Sequence, residues 1–265
     1  MMIKIIVAGP RGNMGKEAVS MIEREADFEL SAVVDRKYDG IMMKEAEGMA
    51  SLQVPVYKDI DKCMKEVNPD VLVDLTNPET GKMHLRKALE HGVRPVVGTT
   101  GFTDDDIRGL TSLAEEKQIG AIIAPNFAIG AILLMKLSKM AAKHMDDVEI
   151  IEQHHDKKLD APSGTAMKTA QLISEVRDEK KQGHPQEEEA WAHARGAEYE
   201  GMRIHSVRLP GKVAHQEVIF GGEGQTLTLR HDSLNRTSFM PGVKMAVEKV
   251  MKTTGLVYGL DQYID

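Results

Sequence analysis

The chain has 265 residues, 42% hydrophobic and 28% charged, with a formal net charge of −7, enough apolar material for one large core or two modest ones. The interspersed acidic balance argues against a nucleic-acid surface, which carries a basic stripe, and no apolar run approaches membrane-spanning length. Cys63 is the only cysteine, which excludes an intrachain disulfide and weighs against thiol catalysis; with a start lacking a signal-peptide pattern, this points to the cytoplasm.

Ile3–Ala8 reads as a buried strand, Gly9–Gly15 as a tight turn, and Met14–Glu25 as a helix burying Ala18, Val19, Met21 and Ile22. A second strand, Phe28–Val34, ends on Asp35. Further strands are expected at Val71–Leu75, Pro95–Gly98 and Gly120–Ala124, separated by helices at Glu79–His91 and Asp104–Lys117, with Asp104 as an N-cap. This alternation is that of a Rossmann-like, doubly wound parallel sheet in an α/β protein, with ligand-binding loops after the strand C-termini.

From Asn126 the pattern changes. A helix at Ile129–His144 leads to a strand at Val148–Gln153, then to a cationic run and a helix at Ser163–Val176. Arg177–Gly201 is dense in Glu, Lys, Gln and Gly and reads as a solvated excursion. Strands at Arg203–Leu209, Val213–Phe220 and Gln225–Arg230, with a Gly221–Gly224 hairpin signal, give a small mixed sheet, mostly antiparallel. The helix Pro241–Met251 closes the pattern and is expected to return to the first domain. The division is 1–126, completed by 240–265, as a nucleotide-binding domain, and 127–239 as a smaller α+β domain for substrate binding and oligomerisation.

The turn Gly9-Pro10-Arg11-Gly12-Asn13-Met14-Gly15 lies between strand and helix, where N–H groups and the helix dipole can meet a pyrophosphate. Its glycines are spaced G-x-x-G-x-x-G, with Arg11 in the usual middle glycine position, so a turn that only packs helix on strand is the alternative. Asp35 stands where a carboxylate takes ribose hydroxyls, and Arg36 beside it can pair with a 2′-phosphate or remain a surface charge. That pair suggests tolerance of both NADH and NADPH. Gly98-Thr99-Thr100 and Ala124-Pro125-Asn126-Phe127 follow later strands, where the nicotinamide half is expected, unless their polar residues only cap the next helices.

The run Glu152–Thr165 holds His154, His155, Lys157, Lys158 and a Pro-Ser-Gly-Thr helix start. The start of a helix can hold a carboxylate, and Lys158 and His155 can neutralise the rest. A charged loop with incidental histidines is the plain alternative. A metal site of His154, His155, Asp156 and Asp160 is weakened because adjacent strand residues point to opposite faces.

Taken together, Gly9-x-x-Gly12-x-Met14-Gly15, Gly98-Thr-Thr-Gly-Phe102, Ala124-Pro-Asn-Phe127 and Glu152-x-His-His-x-x-Lys-x-Asp-Ala-Pro-Ser-Gly-Thr165 resemble the 4-hydroxy-tetrahydrodipicolinate (dihydrodipicolinate) reductase family. The likeness runs in order along essentially the whole chain. Pro10-Arg11 and Asp156-Lys157 depart from its commoner residues. The resemblance implies reduction of a small cyclic dicarboxylate by NADH or NADPH in lysine and diaminopimelate biosynthesis, without a metal and in a homotetramer formed through the sheets of the central domains. It implies proton transfer by His154 and Lys158, and substrate carboxylate contacts at His155, Gly164 and Thr165. It also implies cofactor contacts at Gly9 to Met14, Asp35, Arg36, Gly98 to Thr100 and Ala124 to Phe127.

Closure about hinges near 126–129 and 236–241 is expected to bring the reactants together. Another two-domain NAD(P)-dependent imine or sugar oxidoreductase would share the glycine turn and fold, but would not explain the dicarboxylate pocket. A nonenzymatic NAD(P)-sensing regulator would have no use for a His–Lys proton pair.

Overall fold

The computed structural model describes residues 2–264. Its elements are β1 (Ile3–Ala8), α1 (Asn13–Arg24), β2 (Phe28–Val34), β3 (Ile41–Met42), β4 (Pro55–Tyr57), α2 (Ile60–Val67), β5 (Val71–Asp74), α3 (Pro78–Glu90), β6 (Arg94–Val97), α4 (Asp104–Lys117), β7 (Gly120–Ile123), α5 (Ile129–Ala141), β8 (Asp147–His154), α6 (Gly164–Ser174), β9 (Ala197–Tyr199), β10 (Met202–Arg208), β11 (Ala214–Gly222), β12 (Gln225–Ser233), α7 (Met240–Val250) and β13 (Gly255–Tyr258). Two compact units result: one runs to Phe127 and resumes at Phe239, and the other is Ala128–Ser238.

The first unit is an eight-stranded sheet in the order β13-β7-β6-β5-β1-β2-β4-β3. Every pairing is parallel except β3 with β4. Parallel strands joined by crossover helices are covered on both faces, which is why Ile5, Ile6, Val7 and Ala8 are all fully buried. One face packs on α2 and α3 through Ile60, Cys63, Met64 and Ala88, and on α4 through Leu110 and Ala114. The other face meets α1 and α7, with Val243, Ala246, Val247 and Val250 of α7 fully buried. Each buried Val, Leu, Ile or Met among them contributes roughly 1.5–3 kcal/mol when taken from water. The α4 cap is Thr103 rather than Asp104: its hydroxyl accepts from the Asp106 N–H while the Asp106 carboxylate accepts from the Thr103 N–H. This reciprocal pair satisfies two end groups at once, which Asp104 alone would not do.

The second unit is a five-stranded mixed sheet, β12-β11-β8-β10-β9, in which β8 and β10 are parallel and the other pairs antiparallel. The helices α5 and α6 cover one face, packing Leu134, Ala166, Ala170 and Ile173 on Val148, Ile150, Ile204, Val218 and Phe220. Strand alternation then determines what reaches the start of α6: Val148, Ile150, Glu152 and His154 share that face. The hairpin β11–β12 turns on Glu223-Gly224, with Gly224 at φ +68°. The excursion after α6 is mostly exposed but pinned at its base. Gln182 exchanges two hydrogen bonds with the Val148 backbone (2.7 and 2.9 Å), and Arg177 donates to the Asp146, Lys180 and Glu200 carbonyls.

Candidate functional site

In the first unit, the turn after β1 is shaped by contact between backbones. Gly9 adopts φ +84°, and a Cβ on Gly15 would lie 2.0 Å from the Gly9 carbonyl oxygen. The first turn of α1 has neither a capping side chain nor an acidic residue. Its N–H groups are thus left for an anion, and these residues fit the phosphates of a dinucleotide. Close packing at Gly15 is compatible with an anion at the same turn.

Asp35, at the end of β2, is nearly inaccessible at 5% exposure. Arg11 grips it through Nε (2.8 Å) and Nη2 (3.1 Å), and the Lys37 N–H donates to it as well (2.8 Å). Burial pushes this carboxyl up, but the Arg11 and Lys37 hydrogen bonds outweigh it and hold it below the usual carboxylate range. Arg11 also lies over the Tyr38 ring, 5.7 Å from its centroid. Arg36 is exposed with no side-chain partner among the described residues. The sequence places Arg11 and Asp35 in the same expected cofactor region, but their pairing is visible only in the fold.

Gly98-Thr99-Thr100 follow β6, and Ala124-Pro125-Asn126-Phe127 follow β7, so both loops leave the C-terminal edge of the sheet, as does the Gly9 turn. The N-cap of α4 is Thr103, whose hydroxyl accepts from the Asp106 N–H, and the N-cap position of α5 is Ala128, so Thr99, Thr100 and Asn126 do not occupy those positions. Beneath the Gly98 loop, His84 Nδ1 meets the buried Asp74 carboxylate at 2.5 Å. Burial pushes the Cys63 thiol up to about 12, so it remains a core residue.

In the second unit, the chemistry gathers around Glu152, which is fully buried. His154 Nδ1 lies 2.5 Å from its Oε2, and Arg208 donates to both oxygens, Nη1 to Oε2 at 2.9 Å and Nη2 to Oε1 at 2.7 Å. The Ser163 N–H donates to Oε1 at 3.2 Å. Imidazole and helix start thus touch opposite oxygens of one carboxylate. Burial alone would raise Glu152, but the His154 and Arg208 hydrogen bonds prevail and hold it at about 2.

Lys158 donates to both Asp160 oxygens (2.7 and 2.9 Å), and the Asp160 carbonyl accepts from Arg208 (2.7 Å). Ser163 caps α6 through the Ala166 N–H, the first turn of α6 has no acidic residue, and Gly164 is exposed with nothing near its Cβ position. That N-terminus suits a carboxylate. The His155 side chain, half-buried, has no partner among the described residues. No group of three or more His, Cys, Asp or Glu side chains among the described residues is arranged to hold a metal ion. The sequence alone assigns Glu152 no role and gives no reason to single out Arg208. Its only sequence signal was a lone arginine at the end of an alternating strand.

Two family models match the chain, dihydrodipicolinate reductase N-terminus over residues 3–127 and dihydrodipicolinate reductase C-terminus over residues 130–264. The 4-hydroxy-tetrahydrodipicolinate reductase of Shouchella clausii is 67% identical and that of Geobacillus kaustophilus 65%, each alignment covering 100% of both chains. Among solved structures, the dipicolinate-bound dihydrodipicolinate reductase of Paenisporosarcina sp. TG-14 superposes with a TM-score of 0.91 at 53% identity, covering 100% of each chain.

Proposed function

The chain belongs to the dihydrodipicolinate reductase family, and from that premise we propose that it reduces 4-hydroxy-tetrahydrodipicolinate, by way of dihydrodipicolinate, to tetrahydrodipicolinate in lysine and diaminopimelate biosynthesis. It is an NAD(P)H-dependent oxidoreductase acting on a small dicarboxylate. The observation that carries the site assignment is that His154 and the start of α6 meet on the Glu152 carboxylate, so a proton-carrying ring lies beside an anion-binding helix end.

When bound, the reduced nicotinamide supplies the hydride. This chain supplies position and a proton. The N–H groups at Gly164 and Thr165 and the His155 ring hold the substrate carboxylates. Hydride addition to a conjugated imine leaves negative charge on the enamine side, and Lys158 or His154 delivers the proton that neutralises it. Asp160 orients the Lys158 ammonium through both its oxygens. In the first unit, the Gly9 to Met14 turn takes the pyrophosphate, Asp35 and Arg36 the ribose edge, and the 98–100 and 124–127 loops the nicotinamide half.

Because Arg11 neutralises Asp35, the ribose edge repels a 2′-phosphate weakly, and both NADH and NADPH serve. The working form is a homotetramer built through the sheet face of the second unit that α5 and α6 leave uncovered. Its setting is the cytoplasm, which suits a lone reduced thiol and a demand for reduced nicotinamide. Among the described residues no helix is long and apolar enough to cross a membrane.

The test is loss of nicotinamide absorbance when the protein meets freshly made 4-hydroxy-tetrahydrodipicolinate. Consumption with neither cofactor overturns the reading. Lys158→Met is expected to leave cofactor affinity unchanged and to cut kcat by on the order of 10²–10⁴, the usual worth of a proton-transfer group. Unchanged turnover in that variant removes Lys158 from the mechanism.

A further inference from the structure

We infer that Glu152 and Arg208 are a positioning pair that fixes His154 as its Nδ1–H tautomer, leaving Nε2 as the nitrogen that exchanges the proton. The inference rests on the proposed role of His154 as a proton carrier. It begins from the chemistry of the groups that converge on Glu152. Arg208 Nη1 and Nη2 and the Ser163 N–H are donors with no capacity to accept. An ionised carboxylate is the reverse, an acceptor only. Glu152 remains ionised, since it is held at about 2. The proton in the 2.5 Å contact with His154 therefore sits on Nδ1. In a neutral imidazole the partner of one nitrogen decides the state of the other, so Nε2 carries the lone pair.

Arg208 does more than neutralise this buried charge. Glu152 and His154 stand on β8, opposite Ser206 and Arg208 of the parallel strand β10. From that register one guanidinium reaches both Glu152 oxygens and the Asp160 carbonyl, and Asp160 in turn holds the Lys158 ammonium. A single side chain thus links the support of His154 to the support of Lys158. Lysine offers a point charge and cannot span these three acceptors in a planar fork.

Glutamine at position 152 breaks the donor–acceptor match whichever way its amide turns. With its NH2 toward Ser163, two donors oppose it there. With its NH2 toward His154, the ring must present a bare Nδ1 and protonate Nε2. Either arrangement leaves buried donors facing one another, and the second reverses the tautomer.

The experiment is 15N NMR of the His154 ring in the full-length protein, with steady-state kinetics on Glu152→Gln and Arg208→Lys. Wild-type protein is expected to show protonated Nδ1 and bare Nε2 in the neutral ring. Glu152→Gln is expected to lose that signature and to drop kcat by about 10²-fold, the lower end of what proton transfer contributes, with cofactor affinity unchanged. The Glu152→Gln/Arg208→Lys double variant is expected to lose no more than the worse single variant, as members of one unit do.

A wild-type Nε2–H tautomer overturns the inference, and so does a Glu152→Gln protein that keeps its kcat. If Glu152→Gln does not fold, the wild-type tautomer and the Arg208→Lys kcat still decide. Failure of the underlying reading looks different: His154→Gln then retains full turnover while the wild-type tautomer stays Nδ1–H.

Discussion

At the end of β2, the Asp35 carboxylate is already engaged before any nucleotide arrives. An uncompensated carboxylate there would repel a 2′-phosphate, whereas the two-point contact with Arg11 brings the local charge near zero. Arg11→Ala is therefore expected to lower the ratio of kcat/KM for NADPH over NADH by about tenfold, equivalent to ~1.4 kcal/mol, through a raised KM for NADPH. An unchanged ratio overturns this account of Arg11.

Glu152 makes a second prediction at the same scale. Its folded value of about 2 lies below its usual 4.5, so its stabilisation is fully present above pH 4.5 and is lost as pH falls through 2. A shift of that size corresponds to about 3 kcal/mol. Denaturant unfolding should show the stability gap between wild type and Glu152→Gln widest above pH 5 and closing towards pH 2. A gap independent of pH refutes it.

The legibility of the site follows from the same residues. His154, Lys158 and the α6 start lie within one fourteen-residue run, so their association is local and visible in sequence. Arg208 lies 56 residues from Glu152, and only the parallel β8–β10 register brings them together.

Among elements, the turn between β1 and α1 depends on backbone contact. A methyl group on Gly15 would meet the Gly9 carbonyl at 2.0 Å and the Pro10 Cα at 3.0 Å, and neither atom can move without opening the turn. Gly15→Ala is expected to cost at least about 3 kcal/mol, the upper range for overpacking, and to abolish cofactor binding, as read by thermal shift with and without NADPH. Gly12→Ala, whose Cβ meets only the Gly9 oxygen at 3.3 Å, should fold nearly as well as wild type. Equal stability of the two variants would contradict the contact argument.

The longer βα units were legible because each carries a run long enough to show its period. Residues 41–67 were not assigned, since β3 and β4 are two and three residues long and show no alternation. Yet α2 had a readable signal there. Ile60, Cys63, Met64 and Val67 stand at i, i+3, i+4 and i+7, and Asp59 caps the helix by accepting from the Asp61 and Lys62 N–H groups. The strand β13 was hidden for another reason: its four residues gain their place only by pairing with β7 at the sheet edge.

For the whole molecule, the second unit poses the larger question, because α5 and α6 cover only one face of its sheet. The opposite face carries Ile151, Val207 and Ile219 among Glu149, Arg203, His205, Glu217 and Arg230, with Ile219 paired to Glu149 on one side and Thr228 on the other. Glu149 is held by Arg195 and His205 (2.5 and 2.9 Å), so its charge on this face is already compensated. Such a face, with aliphatic residues set among charges that are compensated within it, suits burial against a second copy better than an array of unpaired charges would. If four copies assemble through it, the mass in solution is about four times 29.3 kDa. Ile219→Lys then places an unpaired ammonium in the contact and should yield a smaller species by light scattering while circular dichroism stays unchanged. A wild-type mass of one chain, or an Ile219→Lys mass equal to that of wild type, removes this face from the assembly.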